Sequence, residues 1–281
     1  MEMRKKVLGD EHPDTLSTMG NLAITYCKLG RWNEAEQLEV QAIDMRKNTL
    51  CEEHPDNLFS LGNLASTYCK QGRLNEAEQL QIQVMEIRKK VHGDEDSETL
   101  SSMENLAIIY MNQGRWNEAE QLGIQVMEIK KKVLGDEHPD TLISMGNLAS
   151  TYCKQGRKNE AEQLELQVMK MRKKVLGDEH PDTLLSMGNL ASTYSKQGKW
   201  NEAEQLQIQL MKTRKKVLGA EHLHTLSSME NLAGTYWKQG RWNEAGQLQV
   251  QVVDMRKKML GEEHLDTLSS VGNLAGIYSK Q

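Results

Sequence analysis

The sequence predicts an all-α solenoid of antiparallel helix pairs, and three observations point there. Leu16, Leu58, Leu100, Leu142, Leu184, Leu226 and Leu268 stand 42 residues apart, and so do Tyr26, Tyr68, Tyr110, Tyr152, Tyr194, Tyr236 and Tyr278. No insertion or deletion breaks that frame. Within each copy, two successive stretches carry apolar residues at helical spacing, separated by a glycine and followed by a GDEHPD type of linker. A fixed period of roughly 20 to 50 residues marks units that bury their apolar faces only against their neighbours.

The first stretch of the first copy runs from Pro13 to Leu29. Leu16, Met19, Ala23 and Tyr26 advance by three, four and three, which is one face of an α-helix. Pro13 suits the first turn, where its missing N–H is not needed, and Asp14 favours the positive end of the helix dipole. Gly30 can take a positive φ and stop the helix, and it recurs as Gly72, Gly114, Gly156, Gly198 and Gly240. The second stretch runs from Asn33 to Leu50, with Ala35, Leu38, Ala42, Met45 and Thr49 on one face. Its basic end (Arg46, Lys47) suits the negative end of the dipole.

Residues 1–12 match the end of a preceding copy and its linker, six complete copies follow, and residues 267–281 form a trailing first helix. The expectation is a single repeat array over residues 1–281, a segment of a longer one.

Composition narrows the function classes. The 281 residues carry 38% apolar side chains and a net charge of -5 from 35 basic and 40 acidic residues. No basic stripe marks a nucleic-acid partner. No apolar run approaches the roughly 18 residues of a membrane span, and the N-terminus has no signal-like core. Cys27, Cys69 and Cys153 occupy equivalent places, about a helix diameter apart in a stack, too far for disulfides. Together with Cys51 they read as reduced thiols in an intracellular, cytoplasmic protein.

Met19, Leu22, Ala23, Tyr26, Gly30, Trp32, Ala35 and Ala42 together resemble the tetratricopeptide repeat. The usual repeat has about 34 residues, and this one is longer by roughly two helical turns. Its 42-residue length, the G-D-E-H-P-D-T-L linker, N-L-A and N-E-A-E resemble the repeats of kinesin light chain. They are also similar to the C-terminal arrays of fungal nucleotide-binding signal-transduction receptors. No GxxxxGK[ST] occurs in the sequence, so any ATPase part lies outside it. The family's usual aromatic one turn after Ala35 is polar here (Glu39, Gln81, Glu165, Gln207), which shifts the packing onto Leu38. The resemblance implies a right-handed superhelical array whose first helices line a concave, peptide-binding groove.

On a helical wheel, Ser17, Asn21, Ile24 and Lys28 point away from the core face. The asparagine recurs as Asn63, Asn105, Asn147, Asn189, Asn231 and Asn273, and the lysine as Lys70, Lys154, Lys196, Lys238 and Lys280, with Asn112 the exception. An amide can both donate to and accept from an extended backbone, and a lysine offers a positive charge to acidic side chains or a carboxylate. Family members hold peptides at matching asparagine and lysine positions. The alternatives are asparagines bonded to a neighbouring helix, solvated lysines, or plain duplication. Between copies this stripe varies while the framework stays: Ser17 becomes Phe59, Ile143 or Leu185, and Cys27 becomes Met111 or Trp237. Differing pockets along one ligand predict that pattern.

The remaining features read as structural. His12, His54, His138, His180, His222 and His264 open helices, and one histidine per copy is too few for a metal site. The tryptophans Trp32, Trp116, Trp200 and Trp242 stand at helix–turn–helix corners. Val40, Ile82, Ile124, Leu166, Ile208 and Val250 are expected under neighbouring helices. Glu34 and Glu36 read as exposed. No G-x-S-x-G, HExxH or Cys–His–Asn constellation occurs. The expected protein is therefore a scaffold without catalysis or cofactor that binds an extended, acidic protein segment. The alternative is a self-associating array joined head to tail through Val271, Leu274 and Tyr278 against residues 1–8.

Overall fold

The computed structural model describes residues 2–280, the side chains of Glu2 and Asn48 excepted; Met1 and Gln281 lie outside the described residues. The helices are α1 (Glu2–Leu8), α2 (Pro13–Lys28), α3 (Trp32–Thr49), α4 (Pro55–Gln71), α5 (Leu74–His92), α6 (Ser97–Asn112) and α7 (Trp116–Leu134), then α8 (Pro139–Lys154), α9 (Lys158–Leu176), α10 (Pro181–Gln197), α11 (Trp200–Leu218), α12 (Leu223–Lys238), α13 (Trp242–Leu260) and α14 (Leu265–Tyr278). No strand occurs among the described residues. The limits of α2 and α3 fall within a residue of those the sequence predicts, whereas the trailing helix, expected over residues 267–281, spans Leu265–Tyr278.

The protein forms two compact units, Met1–Asp136 and Glu137–Gln281. In the first, each helix packs on the next from α2 to α7, and α2 also touches α4. In the second, the same succession runs from α8 to α14. Each unit is thus a solenoid of helix pairs.

The local reasons repeat with the sequence. Each linker histidine adopts an extended backbone, and its Nδ1 accepts the N–H of the residue two further on, as in His12 with Asp14 and His180 with Asp182. That satisfies one orphan donor of the helix start. Asp96 does the same in the linker that lacks histidine, accepting from Glu98 and Thr99. At the corner, Gly30 has a φ of 75°, and Arg31 N–H then bonds back to the Tyr26 carbonyl. The turn ends with a cation stacked on the tyrosine: the Arg31 guanidinium lies 4.2 Å from the Tyr26 ring centroid and Arg73 lies 3.9 Å from Tyr68.

The first helices bury Leu16, Met19 and Ala23, as their spacing predicts, and from the second copy on the leucine after the asparagine as well (Leu64, Leu106, Leu148). The second helices depart from expectation. Ala35 and Ala42 are buried, but Leu38 and Met45 are only half-buried and Thr49 is exposed. Glu39, Ile43 and Arg46 are buried in their place. The cause is two-sided packing: α3 contacts both α2 and α4, so its buried face is wider than one stripe. The same contact half-buries Glu36, where the sequence suggests exposure. Gln71 and Arg73 of the next copy donate to its carboxylate at 2.8 and 2.7 Å. Burial alone would raise the Glu36 pKa, but those bonds outweigh it and hold the group below its ordinary range. The apolar row is half-buried at Ile82, Ile124, Leu166, Ile208 and Val250 and exposed at Val40.

Candidate peptide-binding clefts

The outward stripe of the first helices stays open. Asn21, Asn105, Asn147, Asn189 and Asn231 are exposed and Asn63 is half-buried, and their side-chain amides carry no hydrogen bond among the described residues. Lys28, Lys70, Lys154, Lys196 and Lys238 are exposed as well. The variable neighbours Phe59, Ile143 and Leu185 are all about half exposed. The alternative of asparagines tied to neighbouring helices therefore fails.

Consecutive first helices leave a cleft between them in each unit. In the first, Ile24, Cys27 and Lys28 of α2 face Asn63, Ser66 and Lys70 of α4, with Trp32 and Glu39 of α3 at the base, around about 610 Å³. In the second, Ser192, Ser195 and Lys196 of α10 face Asn231, Gly234 and Lys238 of α12, with Trp200 and Gln207 of α11 at the base, around about 410 Å³. Every residue of the first set maps onto its counterpart in the second by adding 168, four repeats of 42. The two clefts occupy equivalent places in the repeat, and their linings differ: Ile24, Cys27, Ser66 and Glu39 in one stand where Ser192, Ser195, Gly234 and Gln207 stand in the other.

The base of the cleft is the feature that sequence reasoning missed. Glu39 is 2% exposed and its Oε2 has no partner, while Cys27 Sγ lies 3.0 Å from the buried Thr67 hydroxyl beside it. Burial pushes the Glu39 carboxyl up to about 7, against the hydrogen bond from Thr67. Glu165 is raised for the same reason. At the equivalent place, Gln207 Oε1 accepts the Thr235 hydroxyl at 2.7 Å. The signal was available: Ala35, Glu39, Ala42 and Arg46 advance by four, three and four, the period of a buried face.

No group of three or more histidine, cysteine or acidic side chains among the described residues forms a metal site. All four cysteines are free. No described helix is long and apolar enough to cross a membrane.

Comparison with known proteins agrees with this geometry. The sequence profile of the tetratricopeptide repeat family matches residues 15–56, 60–98, 98–174, 166–216, 182–258 and 224–281. No curated protein matches the sequence. Among solved structures, the nearly identical tetratricopeptide-like repeats of a Podosopora anserina kinesin-light-chain candidate are 36% identical, with a TM-score of 0.67 over 74% of this protein and 99% of that one. BtubC of P. vanneervenii gives a TM-score of 0.70 at 16% identity, covering 82% of this protein and 92% of that one. A signal-transduction ATPase with numerous domains and a tetratricopeptide repeat sensor, from Pyrococcus horikoshii, gives 0.65 at 14% identity over 93% of this protein and 41% of its own length. The last two show the fold alone. With helix pairs, corner glycines and profile all in register, the protein belongs to the tetratricopeptide repeat family, a family of protein-interaction scaffolds.

Proposed function

We propose that the protein is a non-catalytic scaffold that binds an extended peptide or protein segment across the clefts between consecutive first helices. The observation that carries this reading is the repetition of one open cleft, with the same asparagine and lysine on its wall, at positions four repeats apart. Asn63 and Asn231 supply amides for the ligand backbone, and Lys70 and Lys238 supply positive charge. Phe59, Ile143 and Leu185 add apolar contact that differs along the ligand.

The test is a random peptide library displayed against the purified protein, with selected peptides measured by fluorescence anisotropy. Asn231→Ala with Lys238→Ala is expected to weaken a selected peptide by roughly tenfold or more, each lost polar contact contributing about 0.5–3 kcal/mol. The melting curve should stay in place, because both side chains project from the packed faces. Unchanged affinity for every selected peptide in that variant and in Asn63→Ala with Lys70→Ala would remove the clefts from the binding surface.

A second reading is self-association, favoured by exposed Leu268, Val271 and Tyr278 on α14 and exposed Met3 and Val7 on α1. Light scattering over a concentration series separates the two: a mass that stays monomeric excludes it.

A further inference from the structure

The cleft between α2 and α4 holds a thiol. Cys27 lines its wall and Glu39 its base, where the glutamate is 2% exposed and its Oε2 has no partner. Between them stands Thr67, fully buried. A hydroxyl has one proton to give. Thr67 gives it to the Glu39 carboxyl, so its oxygen is left to accept from the Cys27 S–H at 3.0 Å. The three groups form a chain with the thiol at the open end and the carboxyl at the closed end.

The trio recurs once. Cys153 Sγ lies 3.4 Å from the Thr193 hydroxyl, which bonds Glu165, and Glu165 Oε2 is again without a partner. Elsewhere the set is broken. Cys69 has Gln81 and Ile109 in these places, and Gln207 has Thr235 but Ser195 for the thiol; the two remaining copies carry neither thiol nor carboxyl. A carboxyl therefore occurs only where a thiol and a threonine both stand beside it. In the broken sets the contacts change: Asn112 Nδ2 donates to Cys69 Sγ at 3.3 Å, and the Ser195 hydroxyl turns back to the Ala191 carbonyl at 2.9 Å. Packing does not call for the acid, since glutamine fills the same place in three copies, and burying a carboxyl is costly.

A thiol becomes a nucleophile as its proton leaves. Glu39 is a base of suitable strength, because burial raises its pKa to about 7. Taking the proton also suits a site that disfavours the charged form. Cys27 lies inside α2, where the backbone N–H groups are spent on the helix and do not form the oxyanion hole that acyl transfer needs. Addition to an activated double bond needs no such hole and expels nothing. The Asn63 amide, Lys28 and Lys70 on the cleft wall suit its carbonyl oxygen, and Ile24 and Trp32 suit an apolar tail.

We infer that Cys27 is a covalent modification site for small α,β-unsaturated carbonyl compounds, with Thr67 and Glu39 relaying the thiol proton, and that Cys153 with Thr193 and Glu165 is a second. Sγ forms a bond to the β-carbon as the π pair of the double bond moves to give the enolate. The thiol proton passes to Thr67, whose own proton passes to Glu39. The enolate then takes a proton at its α-carbon from a water molecule, and the Glu39 proton neutralises the hydroxide so formed. The sum is addition of S–H across the double bond, with nothing oxidised and nothing released. This activity goes beyond the binding reading and uses the cleft only as access, so it stands or falls without any peptide.

The test incubates the protein with pent-3-en-2-one and follows each cysteine by site-resolved mass spectrometry. Cys69, half-buried like Cys27 but without the relay, is the comparison inside the same chain. Cys27 and Cys153 are expected to add the enone at least about tenfold faster than Cys69, the low end of general-base assistance. Glu39→Gln should bring Cys27 down to the rate of Cys69 and leave Cys153 as it was. Gln81→Glu with Ile109→Thr should raise Cys69 to the rate of Cys27, a gain that a merely structural glutamate would not produce. A Cys27 rate no greater than that of Cys69, or one that Glu39→Gln leaves in place, overturns the inference. Should Glu39→Gln fail to fold, the double variant decides: a faster Cys69 supports the relay, and an unchanged one removes it.

Discussion

The side-chain amide of Gln81 donates to the backbone carbonyl of Ser102 at 3.0 Å across the contact between α5 and α6, and Gln249 makes the same bond to Ser270 at 3.0 Å. One copy earlier, Glu39 stands in the place of Gln81 and Ser60 in the place of Ser102. An ionised carboxylate cannot donate to a carbonyl, whereas the protonated acid can copy the amide. The raised pKa of Glu39, its burial and its unpartnered Oε2 agree with a site built around a neutral donor.

That relation fixes a pH dependence. The folded Glu39 pKa of about 7 lies above the ordinary 4.5, so between those values the folded protein holds a proton that the unfolded form releases. Stability is therefore full below about 4.5 and falls as pH rises toward about 7, by on the order of 3 kcal/mol from this group. Glu39→Gln should remove that slope and be more stable than the parent at pH 8. Urea unfolding followed by circular dichroism at pH 5 and pH 8 measures it. A parent-to-variant difference that is the same at both pH values would contradict the neutral-donor account.

Asn105 and Leu106 are neighbours on α6 with opposite fates, the first exposed and the second buried. Leu106→Ala removes a packed side chain and should cost about 2–5 kcal/mol. Asn105→Ala should leave stability within about 0.5 kcal/mol. Thermal unfolding of both variants checks the pair. Equal losses would mean that the asparagine row is part of the packing.

The frame of the fold is legible because the repeat writes each apolar position seven times over. Leu16 and Tyr26 with their counterparts identify one face, and Gly30 marks the corner. The outer wall is legible for the same reason, since Asn21 and Lys28 lie opposite that face. What stays hidden is the second buried face of the second helix. Glu39 and Arg46 are polar, so an apolar pattern passes over them, although their spacing is that of packed residues. Only the folded structure shows that α4 covers them, that Thr67 and Ser60 meet them, and that Gln71 and Arg73 enclose Glu36.

The interior glycines permit a direct check on the same helices. No atom obstructs a Cβ at Gly20 or Gly146. Alanine there should stabilise each unit by about 0.5–1 kcal/mol, through a less mobile unfolded state and a better helix. Unfolding midpoints of the single and double variants measure this, with additive gains expected for distant sites. A loss at either site would reveal a packing role for the glycine that the geometry does not contain.

The clamp between copies responds to acid in the opposite sense to Glu39. Arg73 donates to Glu36 at 2.7 Å and to Glu76 at 2.5 Å, and Arg241 repeats this with Glu204 and Glu244. Glu36 and Glu204 are held below 4.5: burial would raise them, but the arginine and glutamine bonds prevail. A carboxyl lowered on folding contributes stability that is present above the unfolded value and lost as pH falls through the folded one. Arg73→Gln or Arg241→Gln should therefore lower Tm at pH 7, with the gap closing as pH drops below about 4. Arg73→Lys should recover only part of the loss, because lysine lacks the fork that serves two carboxylates at once. Lys199 shows that lesser arrangement in place: it bonds Glu162 at 2.6 Å but sits 5.7 Å from the Tyr194 ring, against 4.1 Å for Arg241 over Tyr236. Differential scanning calorimetry at pH 7 and pH 3 decides the matter. An equal gap at both would mean that the arginine acts through packing on the tyrosine alone.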